Sequence, residues 1–239
     1  MADKHLEMDS LVHAATAKRG FAAVLIVTLL WNCSGCSTAK PQPVSLTYTV
    51  AQNEKTATSA ADLQMAIIPF KDARTDPFLY RKSLKLASGQ DAGVWMANAI
   101  RVEVERAGGS VEALPADTPP TTGRVVTGRI NLLKAEATGW HLGGILAALI
   151  GTGYKPHISA SIVVYDQGVP VLSKQYDIKR NVPSNAGHVI MWGFPPAHRD
   201  VPVAFGKVLK KLIREQVVPD LAAAGTPSAA LSSSRQVRR

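Results

Sequence analysis

The sequence predicts an α+β domain in which two helices cover one face of a largely antiparallel sheet. Between residues 126 and 178, apolar and polar residues alternate with a period of two in three segments, which indicates strands with one face on a core. Apolar residues recur every three to four positions at 91–107 and 202–221, which indicates a helix before these strands and another after them. The order strand, helix, strands, helix is typical of an α+β sandwich.

The composition fits a folded domain of modest size. The 239 residues carry 27 Lys and Arg against 18 Asp and Glu, for a formal net charge of +9. Hydrophobic residues make up 46% and charged residues 19%, which excludes a disordered polyelectrolyte. The two cysteines, Cys33 and Cys36, are too few for a disulfide framework or a multi-thiolate metal site.

The N-terminal segment has the pattern of an export signal. Lys18 and Arg19 stand directly before an apolar run at 21–30, which is too short for the roughly 20 residues of a membrane span. A cleaved signal peptide is therefore predicted and excluded from the fold. Initiation at Met8 instead of Met1 would give a basic region of more usual length, and the sequence does not choose between the two starts.

Small residues before a cysteine follow this apolar run. Ser34-Gly35-Cys36 resembles the lipobox of bacterial lipoproteins, and Ser37 in the next position resembles the pattern that directs lipoproteins of Gram-negative bacteria to the outer membrane. The resemblance implies a diacylglycerol thioether on Cys36. Because each buried methylene contributes about 0.8 kcal/mol, two or three acyl chains hold a protein on a bilayer. The alternatives are Cys33 as the acceptor, and a secreted protein with a Cys33/Cys36 redox pair or two idle thiols.

Four segments follow from this interpretation. They are a lipoprotein signal peptide at 1–35, a flexible lipidated tether at 36–62 with one strand candidate at 44–50, a periplasmic α+β domain at 63–223 and a disordered basic tail at 224–239.

Within the domain, the pattern predicts a buried strand at 63–70, a helix at 91–107, three strands and a last helix at 202–221, in which Pro219 is a candidate position for a break. A hairpin turn is expected at Asp166-Gln167-Gly168. The residues expected to face the core are Gly93, Met96, Ala97, Ile100, Val104 and Ala107 on the first helix, Val126, Gly128, Ile130 and Leu132 on the first of the three strands, and Ile158, Ala160, Ile162 and Val164 on the second.

A run after the first strand carries a family resemblance. The stretch 67–76, with Phe70, Asp72 and Arg74 at alternate positions, looks like small outer-membrane lipoproteins of the YajG type and, more distantly, TolB N-terminal-like domains. The helix and the strand pair around Tyr165-Asp166 extend this likeness over roughly 63–220. Such domains are generally non-enzymatic, so the resemblance implies binding or scaffolding.

The residues that could carry catalysis do not form a known constellation. Asp72 and Asp76 could act as an acid/base pair or bind a cation, but Arg74 between them is expected to neutralise them and fix the loop. The histidines lack a metal-ligand spacing, the glycines at 143–153 lack a phosphate-loop pattern, and the serines lack a nucleophile elbow. We expect no catalytic residues, no cofactor and no metal.

An uncharged apolar element interrupts the predicted strands at 142–150. Its bulky residues are Leu142, Ile145, Leu146, Leu149 and Ile150. The element is too short to cross a bilayer. Two interpretations stay open: a segment buried in the core of the domain, and an exposed contact for a partner subunit or the membrane.

The last helix separates its charges from its apolar residues. Lys207, Lys210, Lys211 and Arg214 share one narrow arc, opposite Phe205, Val208, Leu209 and Leu212. A solvated face is one interpretation. The other is contact with anionic envelope polymers or lipid head groups, at about 1 kcal/mol per charge near an anionic surface. Nucleic acid shares this preference, but an exported protein would rarely meet it.

The sequence thus predicts a lipid-anchored outer-membrane protein that faces the periplasm and binds or scaffolds envelope proteins or anionic polymers without catalysis. The alternative is an oligomeric structural subunit of a secretion or polysaccharide-export assembly, in which 142–150 forms the contact between copies.

Overall fold

The computed structural model describes residues 40–50, 54, 59–138, 153–183 and 197–225. Its strands are β1 (Gln42–Val44), β2 (Gln64–Ile67), β3 (Lys71–Asp72), β4 (Phe78–Tyr80), β5 (Leu84–Leu86), β6 (Ser110–Ala113), β7 (Arg124–Thr138), β8 (Gly153–Asp166), β9 (Val169–Lys179) and β10 (Val182–Pro183). Its helices are α1 (Ala92–Arg106), α2 (Ala197–Leu212), a π-helical segment (Ile213–Val217) and α3 (Val218–Gly225). The predicted α+β class is confirmed.

One mixed sheet contains all ten of these strands, and β7 pairs with four of the others. Along one edge β7 pairs antiparallel with β8 from Arg124 to Thr138. Along its other edge it pairs with β2, β3 and β4 in turn, all three parallel to it. The antiparallel part matches the prediction from the period-two pattern. The parallel part was not predicted, because strands of two to four residues are too short to show a period.

The hairpin between β8 and β9 forms at the predicted position. Gln167 and Gly168 both have positive φ, 51° and 79°, between the paired residues Asp166 and Val169. A two-residue loop with two positive φ angles is a type I′ turn, whose twist matches that of the flanking strands. On β8 the residues predicted to face the core, namely Ile158, Ala160, Ile162 and Val164, are all buried.

The first predicted helix is α1, and its buried face is the predicted one. Asp91 caps it, because its side chain accepts hydrogen bonds from the backbone N–H groups of Gly93 and Val94. All six residues expected on the core side are buried. Trp95 and Glu103 are buried as well, which the sequence pattern did not predict.

A β-bulge in β7 corrects part of the predicted core. The pairing register with β8 shifts between Ile130 and Leu132, so the buried side of β7 changes from even to odd residues. Leu133, at 1% exposed, takes the core position predicted for Leu132, which is half-buried. An inserted residue reverses every later side chain of a strand, and the period-two pattern on either side does not reveal it.

The last helix continues past Pro219 instead of breaking there. The segment Ile213–Val217 widens to π-helical geometry, in which the N–H of Val218 donates to the carbonyl of Ile213. Proline has no N–H and its ring crowds the carbonyl four residues earlier. The wider turn accommodates that defect, and α3 runs on to Gly225. The helix therefore does not break at this candidate position.

Part of the predicted tether belongs to the fold. β1 pairs parallel with β5, and Val44 and Leu46 are buried with the core residues. The strand lies at Gln42–Val44, earlier than the candidate at 44–50. Val44 and Leu46 both lie within the strand candidate at 44–50, but the serine, threonine and proline around them indicated a tether and not a part of the domain.

In the part of the chain that the structure describes, no helix is long and apolar enough to cross a membrane.

Candidate functional site

The basic face of the last helix is only partly a surface. Arg214, in the π-helical segment, has a side chain that is 14% exposed and lies against α1. Its Nε donates to Oε2 of Glu103 at 2.7 Å, and its Nη2 donates to Oε1 of the same carboxylate at 3.0 Å. Glu103 is 1% exposed. The arginine therefore satisfies a buried carboxylate and is not free for an external anion.

Two residues between β1 and β2 complete this cluster. The hydroxyl of Tyr48 donates to Oε1 of Glu103 at 2.5 Å. Glu54 contacts Arg214 Nη1 at 3.1 Å and Lys210 Nζ at 2.9 Å, and its carbonyl accepts from Arg106. The cluster joins α1, the last helix and the chain before β2.

The environment of the cluster shifts three of its pKa values. Burial, aided by the hydrogen bond to Glu103, raises the pKa of Tyr48 far above its usual range. The hydrogen bond to Glu103 raises the pKa of Arg214. The hydrogen bond from Lys210 lowers the pKa of Glu54. Each shift favours the protonation state that pairs with its neighbours at neutral pH, so the arrangement is that of a structural ion-pair network.

Helical spacing in the sequence placed Lys210 and Arg214 on the basic face, but it did not indicate Tyr48, Glu54 or Glu103 as their partners. A signal for Glu103 was present, because it lies three residues after Ile100 on the apolar side of the predicted helix. A carboxylate at such a position needs a cationic partner. Which cation supplies it depends on how two helices separated by about a hundred residues pack, and the pattern does not show this.

Lys207 and Lys211 are the more accessible members of the predicted set. Lys207 is exposed, beside Asp200 and Tyr154 in a small pocket. Lys211 is 33% exposed and contacts Glu215 at 3.3 Å, one helical turn away. An exposed pair of this kind contributes little stability. Binding of an anionic surface by the four-residue set stays a prediction, and these two lysines are its accessible part.

The acidic loop after β2 is held by ion pairs. Arg74 donates two hydrogen bonds to Asp72, from Nε at 2.8 Å and Nη2 at 2.7 Å. Asp76 instead pairs with Lys134 of β7 at 3.1 Å and accepts from the N–H of Phe78. The expected neutralisation by Arg74 holds directly for Asp72, while Lys134 neutralises Asp76.

Among the residues that the structure describes, no group of three or more His, Cys, Asp and Glu side chains is placed to hold a metal ion. His157 contacts Asp177 at 2.9 Å across β8 and β9.

A cleft of about 370 Å³ lies along the N-terminal half of α1, a feature that the sequence did not predict. Leu46 and Tyr48 line one side, and Val94, Trp95 and Asn98 of α1 line the other.

Two of the predicted sites lie outside the described residues. They are the lipidation site at Cys36 and the apolar element with Leu142, Ile145, Leu146, Leu149 and Ile150. Both stay predictions from the sequence.

No protein-family model and no curated protein matches the chain in sequence. Solved structures with a similar course of the chain include a DUF330 protein from Xanthomonas campestris, at 12% identity and a TM-score of 0.46, over 77% of this chain and 94% of that one. A PelC dodecamer from Paraburkholderia phytofirmans is 17% identical, with a TM-score of 0.32 over 66% of this chain and 94% of that one. The lipoprotein GNA1162 from Neisseria meningitidis is 15% identical, with a TM-score of 0.31 over 54% of this chain and 90% of that one.

Proposed function

We propose that this protein is a lipid-anchored component of the bacterial cell envelope, whose α+β domain binds or scaffolds envelope proteins or anionic polymers without catalysis. The observation that carries the proposal is the small-residue sequence Ser34-Gly35-Cys36 directly after a basic and apolar leader. The anchor is acylated Cys36, and Ser37 favours the periplasmic side of the outer membrane as its location.

The acidic side chains among the described residues fit a role without catalysis. The acidic side chains best placed for acid/base chemistry, Asp72 and Asp76, are each held in an ion pair. Glu103 is enclosed between Arg214 and Tyr48. Side chains occupied in this way fix loops and helices, whereas catalysis needs a group that can reach a substrate.

The anchor is tested by replacing Cys36 in cells of a Gram-negative host. Cys36→Ser should abolish incorporation of labelled palmitate and release the protein from the membrane fraction. The matched control is Cys33→Ser, which should keep both the label and the membrane location. Equal labelling of the Cys36→Ser variant and the parent chain would contradict the proposal. Loss of label in Cys33→Ser alone would assign the anchor to Cys33.

The second candidate function is an oligomeric structural subunit of a secretion or polysaccharide-export assembly. The uncharged element at 142–150 favours it, because the pattern elsewhere predicts a short connection between two strands. Replacing Ile145 and Leu149 by Asp should then lower the mass of the crosslinked, detergent-solubilised protein while the circular dichroism spectrum stays unchanged. An unchanged mass in the folded double variant would reject this contact.

A further inference from the structure

The strand β9 forms a long edge of the sheet. It pairs with β8 along one side, and within the described residues no strand pairs with its other side. β10 continues the same edge, because Val182 and Pro183 pair with the start of β8 and the N–H of Arg180 donates to the carbonyl of Pro156 at 3.2 Å. An edge of this length presents a row of backbone donors and acceptors to any strand that can align with it.

Two lysines that could protect such an edge form ion pairs with carboxylates of the same domain. Lysines on an edge strand discourage pairing with another chain. Here Lys174 contacts Asp220 at 2.7 Å, and Lys179 contacts Glu136 at 2.9 Å. At the start of the same strand, Val169 and Val171 are 62% and 48% exposed. The edge therefore combines neutralised charges with exposed apolar side chains.

We propose that β9 is a self-association surface, on which β9 of a second copy of this chain pairs antiparallel about a two-fold axis at Gln175. The occupant is a second copy because the strand is complementary to itself in this register. Leu172 lies opposite Ile178 of the second copy, and Ser173 lies opposite Asp177. The first of these pairs is apolar, and the second can form a hydrogen bond.

The geometry of a sheet restricts the choice of register. Directly opposite residues of antiparallel strands point to the same face of the sheet. The two-fold axis must therefore place one residue opposite its own copy, and both copies then keep their helices on one side of the sheet. An axis at Lys174 would align all eleven residues of β9 but would oppose Lys174 to itself, and like charges directly opposite destabilise the pair. The axis at Gln175 avoids this contact and leaves only Val169 and Pro170 of each copy without an opposite residue in β9.

Disulfide trapping tests the register in the detergent-solubilised full chain. Gln175→Cys should give a crosslinked dimer, because opposite α-carbons about 4.5–5.5 Å apart suit a disulfide. Ser173→Cys is the matched control on the same face, since its two copies would lie four residues out of register, at about 13 Å. The parent chain sets the background from Cys33 and Cys36. Equal crosslinking of the two variants, or none in Gln175→Cys, would overturn the proposal.

A second measurement uses light scattering and does not depend on trapping. Val171→Lys places a cation opposite Lys179 of the second copy and should weaken dimerisation by roughly tenfold over the two symmetric pairs. Val94→Lys makes the same change on the exposed side of α1, where Val94 is 42% exposed, and should leave the dimer intact. A monomeric parent chain, or equal weakening by both variants, would overturn the proposal. Neither result bears on the lipid anchor, which the Cys36 variants test independently.

Discussion

The Nε of Arg214 lies 2.7 Å from Oε2 of Glu103, and this bond joins the π-helical segment to α1 across the core. The widened turn that accommodates Pro219 is thus also the turn that carries the arginine to its partner. A single contact connects two features that lie more than a hundred residues apart in the chain. It also explains why a carboxylate that is 1% exposed is tolerated on the apolar face of a helix.

Removal of Arg214 should destabilise the fold strongly. Arg214→Met keeps most of the aliphatic packing but leaves Glu103 buried without its cation. Breaking a buried pair from one side costs about 3–5 kcal/mol. Urea unfolding, followed by circular dichroism, measures the change in the free energy of unfolding. Lys211→Met is the matched control on the same helix, because its exposed pair with Glu215 contributes about 0–1 kcal/mol. Similar losses in both variants would show that Glu103 is not held by Arg214.

The domain should lose stability at acid pH, in part because Asp220 becomes protonated. Burial raises the pKa of Asp220, but hydrogen bonds from Lys174 and Tyr176 outweigh it and hold the pKa below its usual value. A carboxyl whose pKa is lower in the folded state contributes stability above its unfolded pKa, near 4, and loses it as the pH falls through the folded pKa.

Asp220→Asn should therefore flatten the fall in unfolding free energy between about pH 5 and pH 2. Asp117→Asn, at an exposed loop position, is the control and should keep the slope of the parent chain. An identical acid slope in the Asp220 variant would contradict the role of this carboxyl.

Gly128 should tolerate no side chain. A Cβ at this position would lie 2.9 Å from the Phe70 ring and would also clash with the carbonyl of Ser161. Overpacking of this kind costs about 1–3 kcal/mol, so Gly128→Ala should lower the free energy of unfolding by that amount. Combining it with Phe70→Leu should cost somewhat less than the sum of the two single changes, because the smaller side chain removes the clash with the ring and leaves the clash with the Ser161 carbonyl. Strict additivity would show that the ring does not limit this site.

The elements that the sequence predicted well are those with a long, regular period. The fifteen residues of α1 and the fourteen of β8 each show their buried side through many repeats of the same spacing. Asp91 marks the start of α1, and Gln167-Gly168 marks the hairpin, because helix capping and a type I′ turn favour those residue types at those positions. Local chemistry of this kind can be recognised without the tertiary structure.

The elements that the sequence did not predict depend on contacts between distant segments. The bulge in β7 is a property of its pairing with β8, so neither strand alone reveals that Leu133 replaces Leu132 in the core. The strand candidate at 44–50 contained Val44 and Leu46, but its place in the domain depends on the pairing of β1 with β5, which the sequence pattern does not show. The same reason explains the basic face, where helical spacing grouped four cations but could not show that Arg214 has a buried partner.

The accessible part of that basic face should bind anionic surfaces through Lys207 and Lys211. Replacing both by Glu reverses two charges on one side of α2 and should reduce binding of the detergent-solubilised chain to vesicles that contain phosphatidylglycerol, since each cation near such a surface contributes about 1 kcal/mol. The matched control is Lys82→Glu with Lys85→Glu, which changes the net charge equally at two exposed positions around β5. Binding of the parent chain should also weaken as the salt concentration is raised from about 0.05 to about 0.5 M, because the screening of charges becomes strong over this range. Equal losses in the two double variants would mean that net charge alone governs the attraction, and binding that persists at high salt would mean that the contact is apolar.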